Sequence, residues 1–349
     1  MSHLWVRAES RDNERRVGLT PKGAAELIAA GIAVTVEASD DRIVPTDDYA
    51  AEGCTIAPAH SWPDAPRDAI IFGLKELPDD GTPLPHRHIM FGHAFKGQSA
   101  GRVLLDRFKA GGGRLLDLEY LTDANGRRVA AFGYWAGFAG AAVSLKCWIA
   151  QQQDSICPPV TPYPTAKAMK AELLEELSPY TPPSALIIGA LGRVGSGAAD
   201  LCRAMNVGVT GWDMAETASG GPFPEILDHQ LFINCILAGP QTPPFVRPDA
   251  PTSPRALRVI GDIACDPDSA FNPVQVYDKT TTWAAPATRV HDAPPLDVMA
   301  IDNLPSMLPL ESSEDYAGQL LPTLKSLPGD SEGIWARAER IFQKHRDAI

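Results

Sequence analysis

At about 150 residues per domain, the 349 residues of this chain predict two domains of ordinary size. A composition of 44% apolar and 21% charged residues excludes a disordered or fibrous protein. The formal net charge of −12 disfavours nucleic acid and anionic membranes as partners. The six cysteines form no C-x-x-C pair, and the amino terminus lacks an apolar signal segment, so we expect a reduced, cytoplasmic protein.

The first part of the chain alternates predicted strands and helices, the rhythm of a parallel sheet. A Thr20 cap followed by Pro21 marks the start of one helix. Strands are predicted over residues 3–8, 32–39, 69–77, 88–94 and 114–121, and helices over 21–29 and 98–110.

An uncharged run from Val129 to Leu145 opens a long predicted helix that continues to Gln151. Its Gly133 and Gly137 have the G-x-x-x-G spacing of membrane helices, which leaves a membrane span as an alternative. A span needs about 20 predominantly apolar residues, and this run is rich in small residues. We therefore favour a buried helix packed closely between two domains.

The second half of the chain repeats the strand and helix alternation. A proline-rich hinge and a helix over 165–177 precede an apolar strand at 185–190, a glycine-rich turn and a helix over 194–205. Further strands are predicted at 207–213, 231–237, 257–264 and 280–285. The tail, 311–349, predicts helices that return to the first domain.

The glycine-rich turn indicates a dinucleotide site. Gly189, Gly192 and Gly195 lie between a strand and a helix, where glycines admit a pyrophosphate to the helix amino terminus. Asp213 ends the next strand and could accept both ribose hydroxyls, and no Arg or Lys follows closely to neutralise a 2′-phosphate. We therefore predict NAD rather than NADP; the alternatives are a ligand-free helix start and a solvated turn aspartate.

Several ordered blocks resemble a known family. RAESRDNERRVGLTP resembles the amino-terminal signature of the alanine dehydrogenase and transhydrogenase superfamily. The remaining blocks resemble the NAD-dependent, lysine-forming saccharopine dehydrogenase family over nearly the whole chain: IIFGLKELP, HIMFGHAFKGQ, GRRVAAFGYWAGFAGAA, LIIGALGRVGSGA, FINCI and AIDNLPSMLP.

The resemblance implies an α/β fold of two Rossmann-like, doubly wound parallel-sheet domains with an active-site cleft between them. Residues 1–132 with 316–349 would form the substrate and catalytic domain, and 133–315 the NAD-binding domain. The implied reaction is the reversible oxidative deamination of saccharopine, through an imine, to L-lysine and 2-oxoglutarate. We expect a monomer as the default, although the sequence leaves the oligomeric state open.

The resemblance also assigns the acid and base. Oxidation at a carbon bearing an amine needs an unprotonated nitrogen and hence a base. Lys75 and His93, at the ends of neighbouring strands, match the family's catalytic pair, and burial can lower the pKa of Lys75. Lys96 and Glu76 are candidate modulators of these groups. The non-catalytic alternatives are that Lys75 is a surface lysine at a strand end and that His93 is a core histidine.

Binding residues are implied in the same way, since arginine forks suit the three carboxylates of saccharopine. The alternative for the arginines is a solvated turn. The implied substrate-binding residues are Arg16, Lys75, Gln98, Arg128 and Phe132. The implied cofactor-binding residues are Arg127, Gly189, Gly192, Arg193, Val194, Gly195, Asp213, Thr217, Leu237 and Asp302. No metal is expected.

Two positions depart from the fungal family pattern: Val194 replaces a cysteine and Ser219 an arginine. Two rival functions remain open at this point. One is another amino-acid or opine dehydrogenase of the superfamily, and the other is a non-catalytic NAD-binding sensor.

Overall fold

The computed structural model describes residues 2–11, 13–95, 99–329 and 332–348, with the backbone alone at Ser99. The chain divides into two compact units, residues 1–131 with 309–349 and residues 132–308. The predicted boundary at 315/316 lies seven residues later than this division, because one continuous helix starts at Pro309. Its first turns belong to the first unit, where Val17 N donates to Ser313 Oγ at 2.9 Å.

The helices and strands follow one another in a regular order. The first unit begins with β1 (His3–Val6), α1 (Pro21–Ala29), β2 (Ala33–Glu37), α2 (Thr46–Ala51), β3 (Thr55–Ala57), β4 (Ile70–Phe72), β5 (Arg87–Met90), α3 (Ser99–Gly111) and β6 (Arg114–Asp117). The second unit contains α4 (Gly133–Gln152), α5 (Ala166–Leu177), β7 (Ser184–Ile188), α6 (Arg193–Ala204), β8 (Gly208–Trp212), α7 (Met214–Thr217), β9 (Leu231–Asn234), β10 (Val259–Asp262), β11 (Thr288–Asp292) and β12 (Pro295–Met299). The chain ends with α8 (Pro309–Lys325) and α9 (Ile334–Arg346) in the first unit.

The first unit is built on a parallel six-stranded sheet of order β3-β2-β1-β4-β5-β6. The strands are short and mostly buried, as expected where a parallel sheet is covered on both faces. The Thr20 hydroxyl caps α1 by accepting from Gly23 N at 3.2 Å, as the sequence predicts. The strand order reverses between β1 and β4, which is where open α/β sheets bind ligands.

The helix α4 is buried over most of its length within the second unit. A Cβ added at Gly137 would overlap the carbonyl oxygen of Val194, and one added at Gly197 would overlap that of Tyr134. Helices α4 and α6 therefore meet backbone to backbone, which explains the small residues of this run. Across the described residues, no helix has the length and hydropathy to span a membrane.

The second unit contains a six-stranded sheet of order β11-β12-β10-β9-β7-β8, parallel except for the antiparallel β11–β12 edge pair. One face packs against α4, α5 and α6. The core on the other face includes Phe223, Ile226, Phe245 and Val246, which lie in irregular or 3₁₀ segments. Helices therefore cover this sheet less completely than a doubly wound fold predicts.

One predicted strand is wrong. Residues 280–285 contribute only an isolated bridge, Thr281 to Ile301, while the edge strands are β11 and β12. Thr281 Oγ1 accepts from Ala300 N at 2.9 Å, so this threonine terminates β12 instead of extending a strand of its own. The predicted α/β class with two parallel-dominated sheets is confirmed.

Candidate active site

A row of polar residues follows the carboxyl ends of three adjacent strands in the first unit. Lys75 follows β4, His93 follows β5 and Glu119 follows β6. Because these strands are parallel neighbours, their carboxyl ends lie at one edge of the sheet. This edge is the usual position of ligands in open α/β sheets.

The backbone of Lys75 is held by a buried ion pair. Glu9 accepts from Leu74 N at 2.6 Å and from Lys75 N at 3.1 Å. Arg7 Nη1 lies 3.2 Å from Glu9, and Arg7 Nη2 donates to the Lys75 carbonyl oxygen. The position of Lys75 is therefore set by backbone contacts, which leave its side chain available for chemistry.

The pKa of Lys75 is lowered, chiefly because the partly buried amine loses hydration. The positive charges of Arg16 and Arg11 lower this pKa further, whereas the carboxylates of Glu14 and Glu76 raise it. The sequence predicts this direction from burial. The neighbouring charges depend on the fold and could not be assigned from the strand pattern.

Arg16 is buried, with a relative accessibility of 4%, and is paired with Glu14. Its Nε lies 2.8 Å and its Nη2 2.5 Å from the two oxygens of that carboxylate. Burial opposes ionisation of Glu14, but the hydrogen bonds and charge of Arg16 lower its pKa overall. Arg16 therefore already holds a protein carboxylate, a partner that the sequence reasoning missed although it lies only two residues away.

His93 is half exposed and adopts a left-handed backbone conformation, with φ of 48°. Its Nδ1 lies 3.8 Å from Glu119 Oε2. Its ring stacks on Phe91, with centroids 6.3 Å apart and planes inclined by 18°, and Phe91 also contacts the ring of Tyr316. Carboxylate and aromatic contacts thus orient an imidazole that remains accessible to solvent.

Arg127 and Arg128 follow the predicted turn, which is closed by hydrogen bonds of Asp123. Arg128 Nη2 lies 4.0 Å from Glu119 Oε1, so one carboxylate neighbours both Arg128 and His93. Arg127 is exposed. The Gln98 and Lys96 predictions fall outside the described residues.

The second unit places the predicted cofactor residues around the start of α6. Gly189 has φ of 84°, and a Cβ at Gly195 would overlap the Gly189 carbonyl oxygen. Gly192 precedes the helix and supplies no capping side chain. With Arg193 exposed and Val194 partly so, the first amides of α6 can face a pyrophosphate.

Asp213 follows β8 and its side chain supports the glycine-rich turn. Its Oδ2 accepts from Leu191 N at 3.1 Å and its Oδ1 from Met214 N at 2.9 Å. A carboxylate offers about four acceptor positions, so ribose hydroxyls can still bind. Thr217 Oγ1 donates to the Asp213 carbonyl oxygen at 2.9 Å, which ties α7 to this acid.

Three further predicted residues lie in different places. Leu237, in the segment after β9, is 73% exposed. Asp302 is exposed in the turn after β12. Phe132 directly precedes α4 and is assigned to the second unit, not to the first as predicted. The predicted boundary is one residue later because the residue before α4 already packs with the unit that contains this helix.

Sequence reasoning missed the carboxylates that hold the predicted cations. Glu119 could have been found, because it closely follows a buried strand in the same row as Lys75 and His93. Glu9 and Glu14 carry no such signal, since they lie in an irregular segment. No group of three or more potential metal-ligating side chains occurs within the described ranges.

Sequence comparison identifies related proteins. Residues 5–139 match the family described as alanine dehydrogenase/PNT, N-terminal domain. A Neurospora crassa protein named saccharopine dehydrogenase [NAD(+), L-lysine-forming] is 43% identical, with 98% of this chain and 95% of that protein covered. A Yarrowia lipolytica protein of the same name is also 43% identical, covering 98% and 97%.

Structure comparison supports the fold independently. A solved L-alanine dehydrogenase superposes with a TM-score of 0.69 at 17% identity, covering 98% of this chain and 94% of that protein. At this identity the match concerns the α/β architecture alone.

Proposed function

We propose a mechanism from one premise: the chain belongs to the NAD-dependent, L-lysine-forming saccharopine dehydrogenase family. The reaction is the reversible oxidative deamination of saccharopine to L-lysine and 2-oxoglutarate. Small-molecule substrates and NAD are the partners that this family assignment supports. The observation that carries the proposal is the row of Lys75, His93 and Glu119 along one sheet edge.

Lys75 is the proposed base in the oxidation step. It takes a proton from the secondary ammonium of saccharopine, which leaves a nitrogen lone pair to assist departure of hydride from the adjacent carbon. A lysine of ordinary pKa is almost fully protonated near neutral pH. Burial and the charge of Arg16 lower the pKa of Lys75 and increase its basic fraction there.

NAD, when bound, supplies the hydride acceptor. The glycine-rich turn at Gly189–Gly195 would hold its pyrophosphate and Asp213 a ribose, with Thr217, Leu237 and Asp302 as further contacts. The turn fits this role because Gly195 lets the start of α6 pack directly against the backbone of Gly189, and because Gly192 leaves that helix start without a capping side chain. The exposed Arg127 is a further proposed contact to the cofactor.

His93 is the proposed acid and base for hydrolysis of the imine. It accepts a proton as water adds to the imine carbon and returns one as the carbinolamine collapses to L-lysine and 2-oxoglutarate. Its half-exposed ring can exchange protons with solvent, and Glu119 Oε2 lies 3.8 Å from its Nδ1.

Arg128 and Arg16 are the proposed carboxylate-binding arginines, with Gln98 and Phe132 beside the substrate. Arg128 is the cleaner residue to test because its side chain is 42% exposed and its carboxylate neighbour is 4.0 Å away. Replacing Arg16 would leave Glu14 as a buried, unpaired carboxylate, so loss of binding and loss of folding would coincide.

The decisive assay is NADH oxidation with two substrate pairs. We expect turnover with L-lysine plus 2-oxoglutarate and none when either is omitted, because imine formation precedes reduction. Comparable turnover with ammonia plus pyruvate would overturn the substrate assignment in favour of an alanine-type dehydrogenase. NADH binding without turnover on either pair would favour a non-catalytic sensor.

We further propose a cytoplasmic monomer. Six free cysteines, five of them buried, support a reducing compartment. Cell fractionation and light scattering at assay concentration test the two parts of this proposal separately.

A further inference from the structure

A buried polar network lies where β9 and β10 end side by side in the second unit. Asp262 and Asn234, each with a relative accessibility of 1%, are paired residues of these two strands. Asn234 Nδ2 donates to Asp262 Oδ1 at 2.9 Å, and Tyr277 Oη donates to Asp262 Oδ2 at 2.8 Å. Both carboxylate oxygens therefore have a side-chain donor.

The network ends on the backbone of the segment that follows β9. Asn234 Oδ1 accepts from Ile236 N at 3.3 Å, and Cys235 N donates to the Ile188 carbonyl oxygen at 3.0 Å. These two bonds hold consecutive amides of residues 235–238, which we call the β9 segment. The side-chain amide of Asn234 thus connects Asp262 to this segment through hydrogen bonds.

The β9 segment touches the glycine-rich turn directly. A Cβ added at Gly189 would lie 2.5 Å from Ile236 Cγ2 and 3.3 Å from the Cys235 carbonyl carbon. A displacement of the β9 segment therefore changes the room available to this turn. The side-chain hydrogen bonds of Asp262 and Tyr277 connect to the β9 segment through Asn234.

The exposed apolar residues give an independent indication of a ligand. Within the described chain, the large hydrophobic residues more than 70% exposed are Leu191, Met214 and Leu237. They belong to the segments that follow β7, β8 and β9, three adjacent strands of one sheet. Exposed apolar residues that cluster in this way are typical of a ligand-binding surface.

A purely structural role explains the network poorly. Burying a carboxylate with polar partners is costly, and an apolar core of the same volume is often as stable. The polar groups provide defined orientations, because each hydrogen bond fixes the orientation of the next side chain. The last hydrogen bond of this chain is to the backbone of Ile236, beside Leu237 and Gly189.

We propose that Tyr277, Asp262 and Asn234 are positioning residues for NAD, which fix the β9 segment against the glycine-rich turn so that the dinucleotide meets a preformed surface. This inference rests on the cofactor site of the proposed function. It assigns two buried residues, Asp262 and Asn234, and the partly buried Tyr277 an indirect role through the β9 segment.

The test is the Tyr277→Phe variant of the full chain, which removes one hydroxyl and keeps the ring. Tyr163→Phe is the matched control: Tyr163 lies in the same unit and donates to Glu172 at 2.6 Å, but that carboxylate is paired with Lys146 on α4. NAD⁺ and NADH dissociation constants are measured by calorimetry or by quenching of tryptophan fluorescence.

We expect Tyr277→Phe to raise both dissociation constants about tenfold, the effect of about 1.4 kcal/mol. The turnover number at saturating NADH and the KM values of L-lysine and 2-oxoglutarate should stay within about twofold, since the hydroxyl serves cofactor placement alone. Asp262→Leu, which keeps a similar volume and removes the acceptors of both Asn234 and Tyr277, should weaken cofactor binding at least as much.

Cofactor affinities unchanged in Tyr277→Phe, or shifted equally in Tyr163→Phe, would overturn the positioning role. The two proposals fail separately. If the wild-type chain binds NADH but turns over neither substrate pair, the proposed reaction is wrong. The comparison of cofactor dissociation constants between Tyr277→Phe and Tyr163→Phe still tests the role of Tyr277.

Discussion

The buried pair of Arg16 and Glu14 offers the sharpest test of how the first unit tunes its catalytic lysine. Glu14→Gln keeps the shape of the side chain and removes its charge. Arg16 then keeps its own charge at a side-chain exposure of 3%, with a neutral amide in place of two carboxylate oxygens. Both stability and the pKa of Lys75 should respond.

The stability change follows from burial. Glu14 accepts from Arg16 Nε at 2.8 Å, Nη2 at 2.5 Å and the backbone N at 3.0 Å, and its side chain is fully buried. Removing one partner of such a pair costs about 3–5 kcal/mol. Because the amide retains one acceptor oxygen, we expect a loss of about 3 kcal/mol, near the lower end of that range.

The pH dependence of this stability change follows from the direction in which the fold shifts the pKa of Glu14. The fold lowers the pKa of Glu14, so its stabilising contribution is complete above the ordinary glutamate pKa and is lost as the pH falls through the lowered value. Glutamine does not titrate. The difference in unfolding free energy between wild type and variant should therefore be largest near neutral pH and shrink below about pH 4.

Urea denaturation across this pH range measures the effect. Glu26→Gln is the control, since Glu26 forms an exposed ion pair with Lys325 at 2.6 Å in the same unit and should change stability far less. A loss no larger than that of the control, or one that is constant with pH, would refute the reasoning.

Two kinetic predictions concern the first unit, and one binding prediction concerns the cofactor site of the second. Because Glu14 raises the pKa of Lys75, Glu14→Gln should move the lysine limb of the kcat/KM profile to lower pH; an unmoved limb would separate the two groups. Lys75→Met and His93→Gln should each lower kcat about 10²- to 10⁴-fold, with smaller changes in KM, as measured under steady-state conditions; near-normal kcat with an intact bell-shaped profile would make either residue structural. Asp213→Ala should weaken NAD⁺ binding and reduce the preference over NADP⁺ in paired titrations, because the turn loses its support and the ribose an acceptor; equal affinities before and after would assign the ribose to another residue.

The parts of the fold that could be predicted are those where local pattern and tertiary role agree. Apolar runs such as residues 69–77 predict buried strands, although β4 itself ends at Phe72. The missed β12 begins with a proline, whereas the threonine run at 280–285 has strand propensity but ends another strand. Propensity favoured the wrong segment because pairing partners decide which segment becomes a strand.

The candidate site divides in the same way. Lys75 and His93 could be placed from strand ends and family resemblance, since their positions follow from parallel pairing. The partners that modify them could not, because contacts such as that between His93 and Glu119 join different strands. The network of Tyr277, Asp262 and Asn234 joins three separate segments and is visible only after folding.

The glycine contacts between α4 and α6 have a mechanical consequence. Where helices pack through side chains, rotamer changes can absorb small displacements of one helix against the other. At Gly137 and Gly197 no side chain lies between the two backbones, so side-chain rotamers cannot absorb a displacement there. The glycine spacing that lets membrane helices associate closely here brings the backbone of α4 against α6, the helix that follows the dinucleotide turn. This contact fixes the position of the amino terminus of α6 before the cofactor binds.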